Sequence, residues 1–158
     1  MKIWIVFDSY FGNTEQIARQ VGNALSSRHT VEVLRVGEVN PADVAQVDCV
    51  IVGSPTRGFR PSEATTGLLK SFERGSLLGK SVAAFDTRIP TGQIKSGLLR
   101  LIVNAGGYAA PAIAKKLQRS GGKLAAPPEG FFVTGTEGPL LEGELQRAAQ
   151  WAESLLPA

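Results

Sequence analysis

The sequence predicts a doubly wound α/β fold, a five-stranded parallel sheet with helices on both faces. Short, almost wholly apolar runs recur along the chain: "IWIVF" at 3–7, "CVIVG" at 49–53 and "SVAAFD" at 81–86. Runs of that length suit strands covered on both faces. Segments with apolar residues at helical spacing separate them, and no repeat or linker-like stretch interrupts the alternation. Alternating strands and helices make one parallel sheet, wound by right-handed crossovers. The 158 residues are expected to form one domain, 1–158, large enough to bury a core.

Each element follows from its pattern. Residues 14–27 place Ile17, Val21, Ala24 and Leu25 on one helix face, with Asn13 or Thr14 available as a cap. "TVEVLRV" (30–36) alternates weakly and reads as a strand, and the most hydrophobic run, "CVIVG", is expected to be central. Glu63 to Phe72 reads as a helix, and "QIKSGLLRLIVN" (93–104) has helical spacing at Ile94, Leu98, Leu101 and Ile102. "PAIAKKLQRSGG" is another helix, with Pro111 near its start and a glycine stop. "KLAAPPEGFFVTG" reads as a strand broken by Pro127 and Pro128, whose missing N–H groups put it at the sheet edge. "PLLEGELQRAAQWAESLL" sets Leu141, Leu145, Ala148, Ala152 and Leu155 on a helix face that packs on the sheet.

Composition narrows the function. Apolar content of 43% with 20% charged residues excludes disorder. The five apolar residues before Asp8 are too few for a leader core. No apolar run approaches the roughly 20 residues of a membrane helix. The lone Cys49 lies in an apolar run, so a buried thiol and no internal disulfide are expected. These features together predict a cytoplasmic protein. One cysteine and one histidine, His29 in the loop "SSRHT", exclude the usual zinc clusters, and no metal site is expected. The 17 basic and 14 acidic residues give a mild +3, with lysine and arginine dispersed and Lys115–Lys116 the tightest group. Neither nucleic acid nor a membrane is expected as a partner.

Ligands of doubly wound sheets bind beyond the carboxyl ends of the strands, where the winding reverses. Three loops leave such ends, "DSYFGNT", "GSPTRGFRPSE" and "DTRIPTG", and are expected to share one crevice. In the first, Ser9, Asn13 and Thr14 offer hydrogen-bonding side chains, and the N–H groups of a starting helix suit a phosphate. Gly12 permits close approach or a positive φ. A well-capped turn would use the same residues. No lysine follows as in GxxxxGK[ST], which disfavours nucleotide triphosphate hydrolysis. No acid, base or nucleophile constellation is visible, so no catalytic residue is expected; Asp86 and Glu63 read as cap or turn residues.

"DSYFGNTEQIA" resembles the phosphate loop of the flavodoxin family, in which hydroxyl residues around a glycine hold the phosphate of flavin mononucleotide (FMN). "GSPTRGFRPSE" stands at that family's second flavin loop, and "GSPTR" also resembles flavodoxin-like quinone reductases. "APPEGFFVTGTEGPLLEGEL" is similar to the last strand and helix of short flavodoxin-like proteins. The likeness covers most of the chain except about 88–107 and implies strand order 2-1-3-4-5 with FMN as cofactor. Carried over by position, Ser9, Tyr10, Phe11, Gly12, Asn13 and Thr14 surround the phosphate. Ser54, Pro55, Thr56, Arg57, Gly58 and Phe59 line one side of the flavin ring, and Asp86, Thr87 and Arg88 the other.

The chain departs from the family in three ways. Phe11 replaces a usual threonine. The third loop lacks the tyrosine that stacks on the flavin, leaving Phe59 for one ring face and Tyr108 or Ile89 for the other. Flavodoxins are typically acidic, whereas this chain has a pI near 9.2 and arginines 57, 60 and 88 in the crevice loops. The resemblance implies an FMN-binding electron-transfer protein whose partner is a redox protein or a small-molecule acceptor. An FMN-dependent quinone-type reductase is motivated by "GSPTR", and a flavin-free binding module by the missing aromatic. A monomer and a homodimer are both compatible, with 93–107 a lid or a dimer contact.

Overall fold

The computed structural model describes residues 1–90, 97 and 107–157. The helical spacing read at 93–104 and the role expected of 93–107 lie outside the described residues, Gly97 and Gly107 apart. The elements are β1 (Lys2–Phe7), α1 (Asn13–Leu25), β2 (Thr30–Arg35), β3 (Cys49–Pro55), α2 (Glu63–Ser71) and β4 (Ser81–Arg88). There follow α3 (Ala109–Arg119), β5 (Lys123–Leu124), β6 (Glu129–Phe132) and α4 (Glu144–Leu155). Every strand pairing is parallel, in the order β2-β1-β3-β4-β5, with β6 also paired to β4.

The apolar runs form inner strands because both of their faces are covered. Ile3, Ile5 and Phe7 of β1 enter one core with Ile51, Phe85 and the buried faces of α1 and α4. Trp4 and Val6 enter the other core, with Val50, Val52 and the faces of α2 and α3. β3 is the middle strand and is buried from Cys49 to Ser54. Burial, with a smaller contribution from Asp48, pushes the Cys49 thiol up to about 12, so it stays protonated and inert. His29 is half-buried, with Nδ1 3.5 Å from the N-terminal amine.

The broken strand resolves into two short ones. Ser81 and Val82 pair with Lys123 and Leu124, and β4 pairs again from Phe85 to Arg88 with Glu129 to Phe132. Pro127 and Pro128 lie between them and cannot donate to the ladder. The last helix starts later than its apolar pattern suggested, at Glu144 after Gly143 at φ 85. Leu141 therefore precedes it, Leu145 is 40% exposed, and Trp151 takes the core position instead. Burial pushes the Glu144 carboxyl up, but hydrogen bonds from Arg147 and the Phe132 N–H outweigh this and hold it below the usual carboxylate range. Among the described residues no helix is long and apolar enough to cross a membrane.

Gly53 sets the spacing at the centre of the sheet. It pairs with Phe85, whose ring lies against its backbone, so that a Cβ there would stand 2.0 Å from the ring. Phe85, Phe131 and Trp151 then meet edge-to-face with centroids 5.9–6.0 Å apart, a favoured aromatic geometry. Gly53→Ala is expected to lower stability by about 3 kcal/mol, the cost of overpacking a filled core. In a Phe85→Leu background the same substitution should cost distinctly less, and a denaturant double-mutant cycle reads the difference.

Candidate functional site

The turn from β1 into α1 is built around Gly12, at φ 89 with open space where a Cβ would stand. The anticipated caps do other work. Asn13 donates from Nδ2 to the Glu137 carbonyl at 3.0 Å, and the Thr14 and Thr87 hydroxyls share a hydrogen bond of 2.8 Å. Ser9 caps instead, its Oγ accepting the Gly12 N–H at 3.0 Å and the Glu15 N–H at 3.4 Å. The N–H groups of Tyr10, Phe11, Asn13 and Thr14 find no acceptor among the described residues. Arg35, at the end of β2, braces the turn from behind. It donates to the Ser9 carbonyl at 3.3 Å and pairs with Glu15 at 2.9 Å.

The second loop continues β3. Ser54 is fully buried and structural: its Oγ accepts the Ser62 N–H and donates to the Pro55 carbonyl, each at 2.9 Å. Arg57 and Arg60 exchange backbone hydrogen bonds, with Gly58 at φ 55 and Phe59 at φ 64 between them. Positive φ at both central residues is the type I′ hairpin turn, a conformation that costs a residue such as Phe59 about 1–2 kcal/mol. The Arg57 guanidinium lies 4.8 Å from the Tyr10 ring centroid and 5.9 Å from that of Phe11, joining the first two loops.

The third loop follows β4. Asp86 has no exposed surface and accepts from Arg88 Nε at 2.6 Å, from an Arg88 terminal nitrogen at 2.7 Å and from the Ala110 N–H at 2.8 Å. Burial pushes its carboxyl up against the pull of those donors. The Arg88 guanidinium lies 3.6 Å from the Tyr108 ring centroid and crosses Gly130, where a Cβ would meet it at 2.2 Å. Thr56 accepts the Ala109 N–H at 3.0 Å, so the start of α3 is docked on both loops.

These loops share one cavity of about 250 Å³. Ser9, Tyr10, Phe11, Asn13 and Thr14 line it from the first loop, and Pro55, Thr56, Arg57 and Gly58 from the second. Thr87, Arg88 and Ile89 line it from the third. Four expected residues lie outside the lining: Gly12 shapes the turn, Ser54 and Asp86 are buried supports, and Phe59 stands at the hairpin tip. Tyr108 is covered by Arg88 and bonds the Ile89 carbonyl at 3.3 Å, whereas Ile89 does reach the cavity. Val133 and Thr136 also line it, and sequence reasoning missed both. They follow β6, whose pairing to β4 brings its carboxyl end to the same edge. The run "VTGTEG" after "FF" carried that signal.

Arg88 is thus neutralised by Asp86, and Arg60 does not line the cavity, which leaves Arg57 as the lining cation without a carboxylate partner among the described residues. Arg88→Met strands a buried carboxylate and is expected to destabilise the protein by about 3–5 kcal/mol. Adding Asp86→Asn should restore much of that loss, measured by thermal and denaturant unfolding; equal losses in the single and double variants would refute the pairing.

The family model "Flavodoxin" matches residues 5–153. Among solved structures, oxidised flavodoxin 2 from Bacillus cereus is similar with a TM-score of 0.77 at 21% identity, over 98% of this chain and 97% of that one. A flavodoxin from the domain Archaea gives 0.72 at 22%, over 98% and 96%. Rubredoxin oxygen:oxidoreductase from Desulfovibrio gigas gives 0.73 at 20%, with 98% of this chain matching 35% of that one. A search of curated proteins returns no match. Structural likeness at these identities establishes the fold, and the family match over nearly the whole length adds the kinship: the chain belongs to the flavodoxin family.

Proposed function

We propose that this protein binds FMN in the crevice of the three loops and acts as an electron carrier. The observation that carries the reading is the set of unpartnered N–H groups at Tyr10, Phe11, Asn13 and Thr14, gathered where α1 begins. Such a donor set at the positive end of a helix dipole fits a phosphate. The Ser9 hydroxyl and one of the two hydroxyls of the Thr14–Thr87 pair add donors beside it, and no carboxylate is among the residues lining the cavity. Either hydroxyl can donate in the Thr14–Thr87 bond; with Thr87 as donor, the Thr14 proton is left for a phosphate oxygen. Residues 55–58 and 87–89 line the part of the cavity left for the ring. Bound FMN supplies the redox chemistry; the protein holds it and adjusts its potential.

Calorimetric titration with FMN and with riboflavin, which lacks the phosphate, tests the reading. Thr14→Val is expected to weaken FMN binding by roughly 1.5–3 kcal/mol, the range for a hydrogen bond to a charged group, and riboflavin binding far less. Equal losses would overturn the phosphate assignment. A carrier is reduced by a nicotinamide cofactor only slowly until a reductase is added, whereas rapid turnover alone would favour the quinone-type reductase.

Charge supplies a second test. An exposed cation acting on a charge gained by the ring contributes about 0.5–1 kcal/mol, or roughly 20–40 mV for a one-electron couple. Arg57→Gln is therefore expected to lower the second reduction potential by that amount, most at low salt. No shift in a redox titration would show that Arg57 does not act on the ring.

A further inference from the structure

Four of the lysines and arginines dispersed along the sequence are gathered in space. Residues 64–128 contain ten basic residues and two acidic ones, a net of +8, while the rest of the chain carries −5. Of the two acids, Asp86 is buried against Arg88, so Glu73 is the exposed carboxylate of that stretch. Helices α2 and α3 of this segment cover one face of the sheet and run back against the strands. Their carboxyl ends meet at the amino edge of the sheet, the end opposite the crevice. There Lys70, Arg74, Lys116 and Arg119 surround a groove of about 510 Å³, with Leu69 and Phe72 as apolar lining. Leu78, 76% exposed, stands beside it, its backbone against Gly121.

Helix dipoles favour a cation near each carboxyl end. That accounts for Lys70 in the last turn of α2 and for Lys116 and Arg119 in that of α3, but not for Arg74 beyond Ser71. Nor does it account for pooling like charges at the cost of their repulsion. Elsewhere Lys2, Arg19, Arg35, Arg88 and Arg147 each hold a carboxylate. The four groove cations make no ion pair or side-chain hydrogen bond among the described residues. A cationic rim around an apolar floor complements an anionic segment that also offers an apolar side chain.

We propose that this groove docks a carboxylate-rich protein segment with an apolar anchor, at a site separate from the crevice and independent of the flavin assignment. A nucleic-acid backbone would leave the apolar lining unused. Docking here leaves the crevice open while the partner is held.

Fluorescence anisotropy with a labelled synthetic peptide, glutamates flanking a pair of leucines, tests this on the full chain. We expect binding that weakens with salt and weakens again when the leucines become serines. Lys70→Glu/Arg119→Glu, two exposed positions, should reduce affinity by about tenfold or more. The milder Lys70→Gln/Arg119→Gln should give an intermediate loss, and Arg57→Gln/Arg60→Gln at the opposite end little change. Absence of binding, or equal affinity of the wild type and the charge-reversed variant, would overturn the proposal. Tighter binding to phosphatidylserine–phosphatidylcholine vesicles or to a single-stranded oligonucleotide would overturn it as well.

Discussion

The carboxylate of Asp86 has no exposed surface, and three donors converge on it: two nitrogens of Arg88 and the N–H of Ala110. Much of the crevice depends on that convergence. It holds the Arg88 guanidinium over the Tyr108 ring and against Gly130, and it seats the start of α3 against the end of β4. The neighbouring residue, Thr87, then reaches Thr14 across the sheet. A buried ion pair of this kind is weak evidence for net stability, because desolvation opposes the Coulombic gain. What it provides here is position, at a point where the first, third and last loops meet.

Local pattern made the frame of the molecule legible and tertiary contact decided the rest. Apolar runs located β1, β3 and β4 because burial on both faces leaves little room for polar residues, and the winding rule then gathered their following loops at one edge. The fates of Asn13 and Thr14 were not legible, since their partners Glu137 and Thr87 are remote in sequence. Arg88 reads in the sequence as a third-loop residue beside the ring, but it ends β4, where residues two apart face the same way and Asp86 takes its charge. The proline break was visible, but not that both halves would pair with β4. In the last helix Ala148, Ala152 and Leu155 are buried as their spacing suggested, but Leu141 lies before the helix, Leu145 sits at the edge of the stripe and Trp151 joins it.

Charge separates the two ends of the protein in a way a net +3 conceals. At the carboxyl edge Glu15 pairs with Arg35 and Asp86 with Arg88, and the cavity keeps the exposed Arg57 guanidinium over the Tyr10 ring. At the amino edge, four cations stand around an apolar groove. Charges more than a Debye length of about 8–10 Å apart are largely screened at physiological salt. The groove therefore steers and holds a partner without setting the electrostatics of the crevice.

The proposed FMN site stands on the turn from β1 into α1 holding a phosphate. Amide chemical shifts of the labelled protein, recorded during titration with FMN and separately with riboflavin, address it residue by residue. Large shifts are expected at Tyr10, Phe11, Asn13 and Thr14 with FMN that are small or absent with riboflavin, while residues 56–58 and 87–89 respond to both. Shifts confined to the second and third loops with either ligand, or none at all, would contradict it.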